Sequence, residues 1–158
     1  MATGNNVTSA SGCIGVDIAI VGGGVIGLAV ASELADNKSE IFILEKNISF
    51  GQEISSRNSE VVHSGIYYPK NSLKTETCIN GNRILYELCA ENNIPYRKTG
   101  KLIIAKNDKE VPLLEDLFNR GVDNGLEALS LLSQDGIKKK EPNISARQAI
   151  YLPMTGII

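Results

Sequence analysis

The chain has 158 residues, of which 42% are hydrophobic and 22% are charged, and its formal net charge is −2. This length suits one average domain, and the weak charge offers no broad positive surface to a nucleic acid, which is therefore not an expected partner. The longest apolar stretch, residues 18–30, contains four glycines and is shorter than the roughly 18–20 residues of a membrane span, so no transmembrane helix is predicted.

The first residues predict no folded element. Residues 1–16 are small and polar and contain neither Lys nor Arg, so we interpret them as a flexible leader rather than a secretory signal or an Arg-rich transit peptide. Cys13, Cys78 and Cys89 form no CxxC pair and His63 is the only histidine. Neither a disulfide framework nor a metal site is expected, and a reducing compartment is favoured.

The next segment has the pattern of a βαβ unit. Residues 17–21 are a β-branched run that ends at a glycine cluster, residues 25–35 carry small and apolar residues at helical spacing, and residues 40–45 are the next run of strand length. Together they predict strand, helix and strand over residues 17–45. Residues 50–68 are rich in Gly, Ser and Asn, which predicts a loop with one short helix.

The second half of the chain alternates helices with strands. The pattern predicts helices over residues 72–92, 110–120 and 134–141, and strands over residues 101–106, 129–132 and 148–152. Apolar residues at helical spacing indicate the buried faces of the two longer helices. The residues predicted to be buried are Leu73, Ile79, Leu85, Leu88 and Cys89 in the first of these helices, and Val111, Leu113, Leu114 and Leu117 in the second.

The glycine cluster fits the pattern G-x-G-x-x-G through Gly22, Gly24 and Gly27. Its glycines allow a tight turn after the strand, close approach of the backbone to a pyrophosphate, and close packing of helix on strand. The N–H groups that open the helix favour an anion. Glu45 follows at the end of the next strand, where its carboxylate is placed to accept a hydrogen bond from a ribose hydroxyl. The pattern predicts dinucleotide binding but does not distinguish FAD from NAD.

The following segment favours FAD. Residues 51–69 combine hydroxyl groups, a guanidinium, one histidine and a glycine beside two tyrosines. This mixture suits a second stretch of contacts to pyrophosphate and ribityl, followed by residues near a flavin ring. An NAD domain would continue with strand and helix directly after Glu45, so an NAD-dependent dehydrogenase is disfavoured.

Within this segment the resemblance to a known family becomes specific. The string SSRNSEVVHSGIYYP (residues 55–69), with residues 72–74 and 100–105, closely resembles L-2-hydroxyglutarate dehydrogenases (oxidases), members of the D-amino-acid-oxidase-like FAD superfamily. The similarity runs from Asp17 to the last residue and includes residues 138–142 and 155–157. It implies an α/β fold class, with a Rossmann-like FAD-binding βαβ unit and part of an α+β substrate domain.

The resemblance also implies an activity and partners. These are FAD as cofactor, oxidation of a small 2-hydroxy acid, L-2-hydroxyglutarate, to 2-oxoglutarate by hydride transfer to the flavin, and electron transfer to a quinone or oxygen. Enzymes of this family are more than twice as long, so we expect a truncated N-terminal part of such an enzyme. The expected divisions are a leader over residues 1–16, an FAD-binding portion over residues 17–70, and a linking helix with a partial substrate domain over residues 71–158.

Site residues carry over one by one. The cofactor-binding residues implied are Gly22, Gly24, Val25, Ile26, Gly27, Glu45, Lys46, Ser56, Arg57, Asn58, Ser59 and His63. A neutral imidazole can remove the hydroxyl proton of a 2-hydroxy acid, so His63 is also the candidate catalytic base; the alternatives are a structural histidine or one that flanks the flavin. Tyr67, Tyr68 and Lys101 are candidate substrate residues, with stacking in an apolar core as the alternative for the tyrosines and simple exposure for the lysine.

Two other interpretations stay open. Glycerol-3-phosphate dehydrogenase and glycine or sarcosine oxidases belong to the same superfamily and share the opening fingerprint, so a glycerol phosphate or amino acid substrate is an alternative. A non-catalytic product of a split gene is the other. The expected location is the cytoplasm, with peripheral association at the inner face of a membrane, or the mitochondrion in a eukaryote.

Overall fold

The computed structural model describes residues 15–36 and 38–158. They divide into two compact units, of which the first ends at Ser59 and the second comprises Glu60–Ile158. The predicted leader, apart from Gly15 and Val16, lies outside the described residues. The predicted boundary between the FAD-binding portion and the partial substrate domain, at residues 70 and 71, is a functional division, and it stays a prediction.

The first unit is a βαβ arrangement, as predicted. Its strands β1 (Ile18–Val21) and β2 (Ile41–Leu44) are parallel, and α1 (Val25–Leu34) connects them. Parallel neighbours need such a crossover, because a tight turn reverses the chain direction. A 3-10 helix, Ile54–Ser56, follows in the segment for which a loop and a short helix were predicted.

The second unit contains two antiparallel sheets. Its elements are β3 (Val61–Val62), α2 (Leu73–Glu91), β4 (Lys101–Ala105), α3 (Val111–Asp123), β5 (Ser130–Ser133), α4 (Gln134–Lys140), β6 (Gln148–Leu152) and β7 (Gly156–Ile157). One sheet has the order β4-β6-β5, and the other pairs β3 with β7. The predicted elements from residue 72 to residue 152 are all present, whereas β3 and β7 were not predicted.

The three-stranded sheet has a hydrophobic cluster on each face. Ile150 and Leu152 of β6 pack with Leu114 of α3 in one cluster, while Ala149 of the same strand packs with Ile137 of α4 in the other. Successive side chains of a strand point to opposite faces. A central strand that is covered on both faces therefore carries apolar residues on both, as the sequence of β6 does.

The predicted buried faces of the two long helices need correction. Leu73 and Leu88 of α2 are 74% and 48% exposed, whereas Cys89 is buried as predicted. The other buried residues of this helix are Thr75, Asn82 and Tyr86. These polar side chains bond to backbone carbonyls of neighbouring loops, so hydrogen bonding as well as apolar spacing fixes the face of α2. In α3, Leu114 is buried as predicted, but Leu113 is 69% exposed. Among the described residues, no helix combines the length and the apolarity that crossing a membrane requires.

Candidate functional site

The turn between β1 and α1 depends on its glycines. Gly22 adopts φ +104°, a conformation that side chains disfavour, and its N–H donates to the carbonyl of Leu44 at the end of β2 (2.8 Å). A Cβ on Gly27 would collide with the carbonyl oxygen of Gly22 and would lie 3.4 Å from Ile20 Cγ2. The turn therefore holds the first helical residues directly against the strand end.

The N-terminus of α1 is bound by a serine from a later segment. The Val25 N–H donates to Ser55 Oγ at 2.9 Å, and a Cβ on Gly24 would lie 3.2 Å from the same oxygen. The first N–H groups of a helix have no partner in a preceding turn, and together with the helix dipole they attract anions. The first turn of α1, which is described in full, has no acidic side chain. This helix end is suited to a phosphate group.

Glu45 connects the end of β2 to the glycine turn. One of its oxygens accepts the Gly23 N–H (2.7 Å), and the other accepts both the backbone N–H (2.9 Å) and the side-chain amide (3.0 Å) of Asn47. The hydrogen bonds from Asn47 and then from Gly23 lower the pKa of Glu45 below its ordinary value. An ionised carboxylate has about four acceptor positions, so one remains for a ribose hydroxyl.

Three other predicted cofactor residues of this unit contact neighbouring residues of the protein. Lys46 forms an exposed ion pair with Glu53 (2.9 Å), which raises the pKa of the lysine. Ser56 Oγ donates to the Glu53 carbonyl (3.0 Å), and the Asn58 amide donates to the Ser55 carbonyl (2.8 Å). These bonds stabilise the turn that carries Ser55.

Val25 and Ile26 lie in the first turn of α1, and Arg57 and Ser59 are exposed. The contacts of all these residues with a cofactor stay predictions. Ser55, which the sequence analysis did not select, is the serine that reaches the helix end.

In the second unit, the candidate base and the three candidate substrate residues line one small cavity. Its volume is about 20 Å³, and its lining comprises His63, Ser64, Gly65, Tyr67, Tyr68, Lys101 and Thr155. The ammonium of Lys101 lies 4.9 Å from the centre of the Tyr67 ring. At this range a cation is attracted to the face of an aromatic ring. The structure thus places His63, Lys101 and the two tyrosines around one cavity, and their roles toward a substrate stay predictions.

The backbone at His63 is held by a buried asparagine. The Asn82 amide donates to the carbonyls of His63 (2.9 Å) and of Met154 (3.1 Å). Asn82 lies within α2 and is 6% exposed. The imidazole itself belongs to an exposed residue. Asn82 was not predicted as a site residue. A polar residue on one face of a helix of mixed polarity is a weak signal for such a contact.

The chain has relatives among known protein families and solved structures. A family model described as FAD dependent oxidoreductase matches residues 17–158. The L-2-hydroxyglutarate dehydrogenase, mitochondrial, of Nematostella vectensis is 46% identical over 144 residues, which are 90% of this chain and 32% of that protein. The protein of the same name from Homo sapiens is 44% identical over 90% of this chain and 31% of its own length. The chain therefore spans about a third of the length of these curated relatives.

Solved structures with a similar fold are oxidases by name. The L-alpha-glycerophosphate oxidase of Mycoplasma pneumoniae with FAD bound has a TM-score of 0.78 and 34% identity, covering 90% of this chain and 38% of that one. The glycine oxidase of Geobacillus kaustophilus has a TM-score of 0.76 and 25% identity over 90% of this chain and 40% of its own. Both comparisons support the predicted fold class.

Proposed function

The chain belongs to the FAD dependent oxidoreductase family, and on that premise we propose that its first unit binds the ADP half of FAD. The observation that carries this proposal is the arrangement at the turn between β1 and α1. Besides the Val25 N–H, which donates to Ser55 Oγ, the N-terminus of α1 provides N–H groups for the pyrophosphate. The ionised Glu45 keeps one acceptor position for the ribose. A side chain at Gly24 or Gly27 would obstruct this arrangement.

The proposed reaction is oxidation of L-2-hydroxyglutarate to 2-oxoglutarate. L-2-hydroxyglutarate dehydrogenases are 38–46% identical to this chain, whereas the glycerophosphate and glycine oxidases are 34% and 25% identical. FAD, when bound, supplies the group that accepts a hydride from the substrate. Oxidoreductases of this family require a small-molecule substrate and an electron acceptor, and we propose a quinone or oxygen as that acceptor.

The cavity residues of the second unit support a 2-hydroxy acid. In this proposal His63 takes the hydroxyl proton as a general base, since a neutral imidazole is suited to proton transfer near neutral pH. The positive charge of Lys101 balances a carboxylate of the substrate, and Tyr67 and Tyr68 lie beside its carbon chain. A role of His63 in flanking the flavin, without proton transfer, is the alternative.

The test uses the complete encoded protein. It should purify with flavin absorbance, and anaerobic addition of L-2-hydroxyglutarate should bleach that absorbance, whereas D-2-hydroxyglutarate and glycine should not. Glycerol 3-phosphate is the second candidate substrate, because the glycerophosphate oxidase shares the fold at 34% identity. If glycerol 3-phosphate bleaches the flavin and L-2-hydroxyglutarate does not, glycerol 3-phosphate replaces L-2-hydroxyglutarate as the proposed substrate.

The location and the electron acceptor need their own measurements. Relatives are named as mitochondrial, and we propose the mitochondrion for a eukaryotic source and a peripheral membrane position otherwise. Cell fractionation tests the location. Formation of hydrogen peroxide, compared with reduction of a soluble quinone, identifies the acceptor.

A further inference from the structure

His63 is the exposed residue in a buried stretch of backbone. Its neighbours Val62, Ser64, Gly65 and Ile66 are all buried, whereas His63, which directly follows β3, is exposed. An imidazole is joined to its backbone by a short side chain that adopts a few staggered rotamers. A fixed backbone therefore leaves the ring few positions, and the contacts that fix this stretch decide where the imidazole lies.

The helix α2 holds this stretch from one side. The Asn82 amide donates to the His63 carbonyl at 2.9 Å, and the Cys78 thiol donates a longer bond to the same oxygen (3.7 Å). Gly65 adopts φ +87°, and a Cβ there would lie 3.3 Å from Ile79 Cγ1 and 3.5 Å from Cys78 Cβ. The peptide unit is planar and begins at the His63 Cα, so these contacts with α2 fix the atom from which the imidazole projects.

Asn82 also joins this stretch to the loop that precedes β7. Its amide donates to the Met154 carbonyl at 3.1 Å, and the Tyr86 hydroxyl donates to that same carbonyl at 3.0 Å. A primary amide has two N–H groups, so both donors of Asn82 are used, and the residue is only 6% exposed. Leaving a buried carbonyl without its donor costs free energy. Both backbone segments are therefore expected to shift when the amide is removed.

We propose that Asn82 is a positioning residue, which fixes the backbone of His63 so that its imidazole is aligned with the hydroxyl group of the substrate. This inference rests on the proposed function, in which His63 takes the proton of that hydroxyl. Proton transfer requires a heavy-atom distance of about 2.6–3.2 Å, and a misplacement of about 1 Å costs on the order of 100-fold in rate. Asn82 acts through His63, since both of its own donors are occupied by backbone carbonyls.

The test uses Asn82→Leu in the complete, FAD-loaded protein. Leucine keeps the branched shape of asparagine and lacks both donors. In stopped-flow reduction of the flavin by L-2-hydroxyglutarate, kcat should fall by about 10- to 100-fold, while KM should change by less than about twofold. Tyr86→Phe is the matched control, because it removes a bond from α2 to the Met154 carbonyl and keeps the bond to His63. It should lower the melting temperature and leave kcat close to the wild-type value.

A double-mutant cycle with His63→Asn decides whether Asn82 acts through His63. If it does, Asn82→Leu causes no further loss of kcat once His63 has been replaced. A general loosening of the fold lowers kcat by the same factor in both backgrounds, and equal factors overturn the inference. A wild-type kcat for Asn82→Leu alone overturns it as well, and both results leave the proposed function intact. If His63→Asn alone keeps the wild-type kcat, the proposed base role fails, and the inference fails with it.

The flavin spectrum and the melting temperature report on folding in each variant. Should Asn82→Leu lose FAD, Asn82→Ser takes its place in the cycle. Serine keeps one donor and leaves room for a water molecule that bridges to the second carbonyl. The same comparison then applies: a loss of kcat that disappears in the His63→Asn background supports the inference, and an equal loss in both backgrounds overturns it.

Discussion

Replacing Gly27 with alanine should loosen the contact between α1 and the end of β1. The new Cβ would collide with the Gly22 carbonyl oxygen and would lie 3.2 Å from the carbon of that carbonyl. These atoms belong to the backbone, so the helix must move as a whole. Overpacking of this kind costs about 3 kcal/mol. Alanine recovers about 0.5–1 kcal/mol through its better helix propensity, which leaves a net loss of about 2 kcal/mol.

Gly81→Ala provides the matched control for this substitution. Gly81 lies inside α2, and its added Cβ would meet no atom within 4 Å, so only the propensity gain of about 0.5–1 kcal/mol applies. The two alanine variants of the complete protein should therefore differ by about 3 kcal/mol. Thermal melts followed by flavin fluorescence measure the stability difference, and the flavin absorbance retained after gel filtration measures binding.

The expected result is a lower melting temperature and a smaller fraction of FAD retained on gel filtration for Gly27→Ala alone. If Gly27→Ala instead keeps its FAD and melts at or above the wild-type temperature, the close approach of α1 to the strand end is wrong. Equal losses in both variants would show that the assay does not report on the glycine turn.

Three further predictions concern single side chains. Hydrogen bonds from Asn47 and Gly23 lower the pKa of Glu45, so its carboxylate stabilises the fold above its ordinary pKa of about 4.3 and stops doing so as the pH falls through the lowered value. The difference in melting temperature between wild type and Glu45→Gln should therefore shrink as the pH falls from about 6 to about 3; a constant difference contradicts this. His63→Asn should lower kcat by about 10²- to 10⁴-fold with FAD retained, and an unchanged kcat in stopped-flow reduction rules out the base role. Ser55→Ala should cost about 1 kcal/mol in thermal melts, whereas Ser55→Thr, which keeps the hydroxyl, should lie nearer to wild type.

The βαβ unit was predictable because each of its signals is local. The strand run, the glycine turn and the helix that follows are contiguous, and a parallel pair with one crossover is what this order allows. The structure confirms the parallel pairing of β1 with β2 and the elements up to residue 152. Strand and helix bounds differ from the predictions by a few residues, as helix ends commonly do.

The pairing of β3 with β7 was not predictable from the sequence. Each strand has two residues, which is too short for the alternation that indicates a strand. The partners come from opposite ends of the second unit, and only the tertiary fold brings them together.

The sequence predicted the residue types of the candidate sites but not all of their contacts. His63, Tyr67, Tyr68 and Lys101 were selected as residue types and do line one cavity. Which of the neighbouring serines contacts the helix end was not predictable from the sequence. The geometry of the 3-10 helix places Ser55 against the Val25 N–H, while Ser56 bonds locally.

The position of β6 in its sheet sets an order of events during synthesis. β6 lies between β4 and β5 although it follows both in the chain, so neither earlier strand has its partner until residues 148–152 have been made. Translation proceeds at about 5–20 residues per second, so β4 waits on the order of 2–9 s for β6. The βαβ unit needs only residues 18–44, so β1 waits a shorter time for β2, about 1–5 s. The unit with the glycine turn can thus form on the ribosome before the unit with the cavity begins to fold, and slowing translation over residues 106–147 lengthens the time during which the apolar edge of β4 is unpaired.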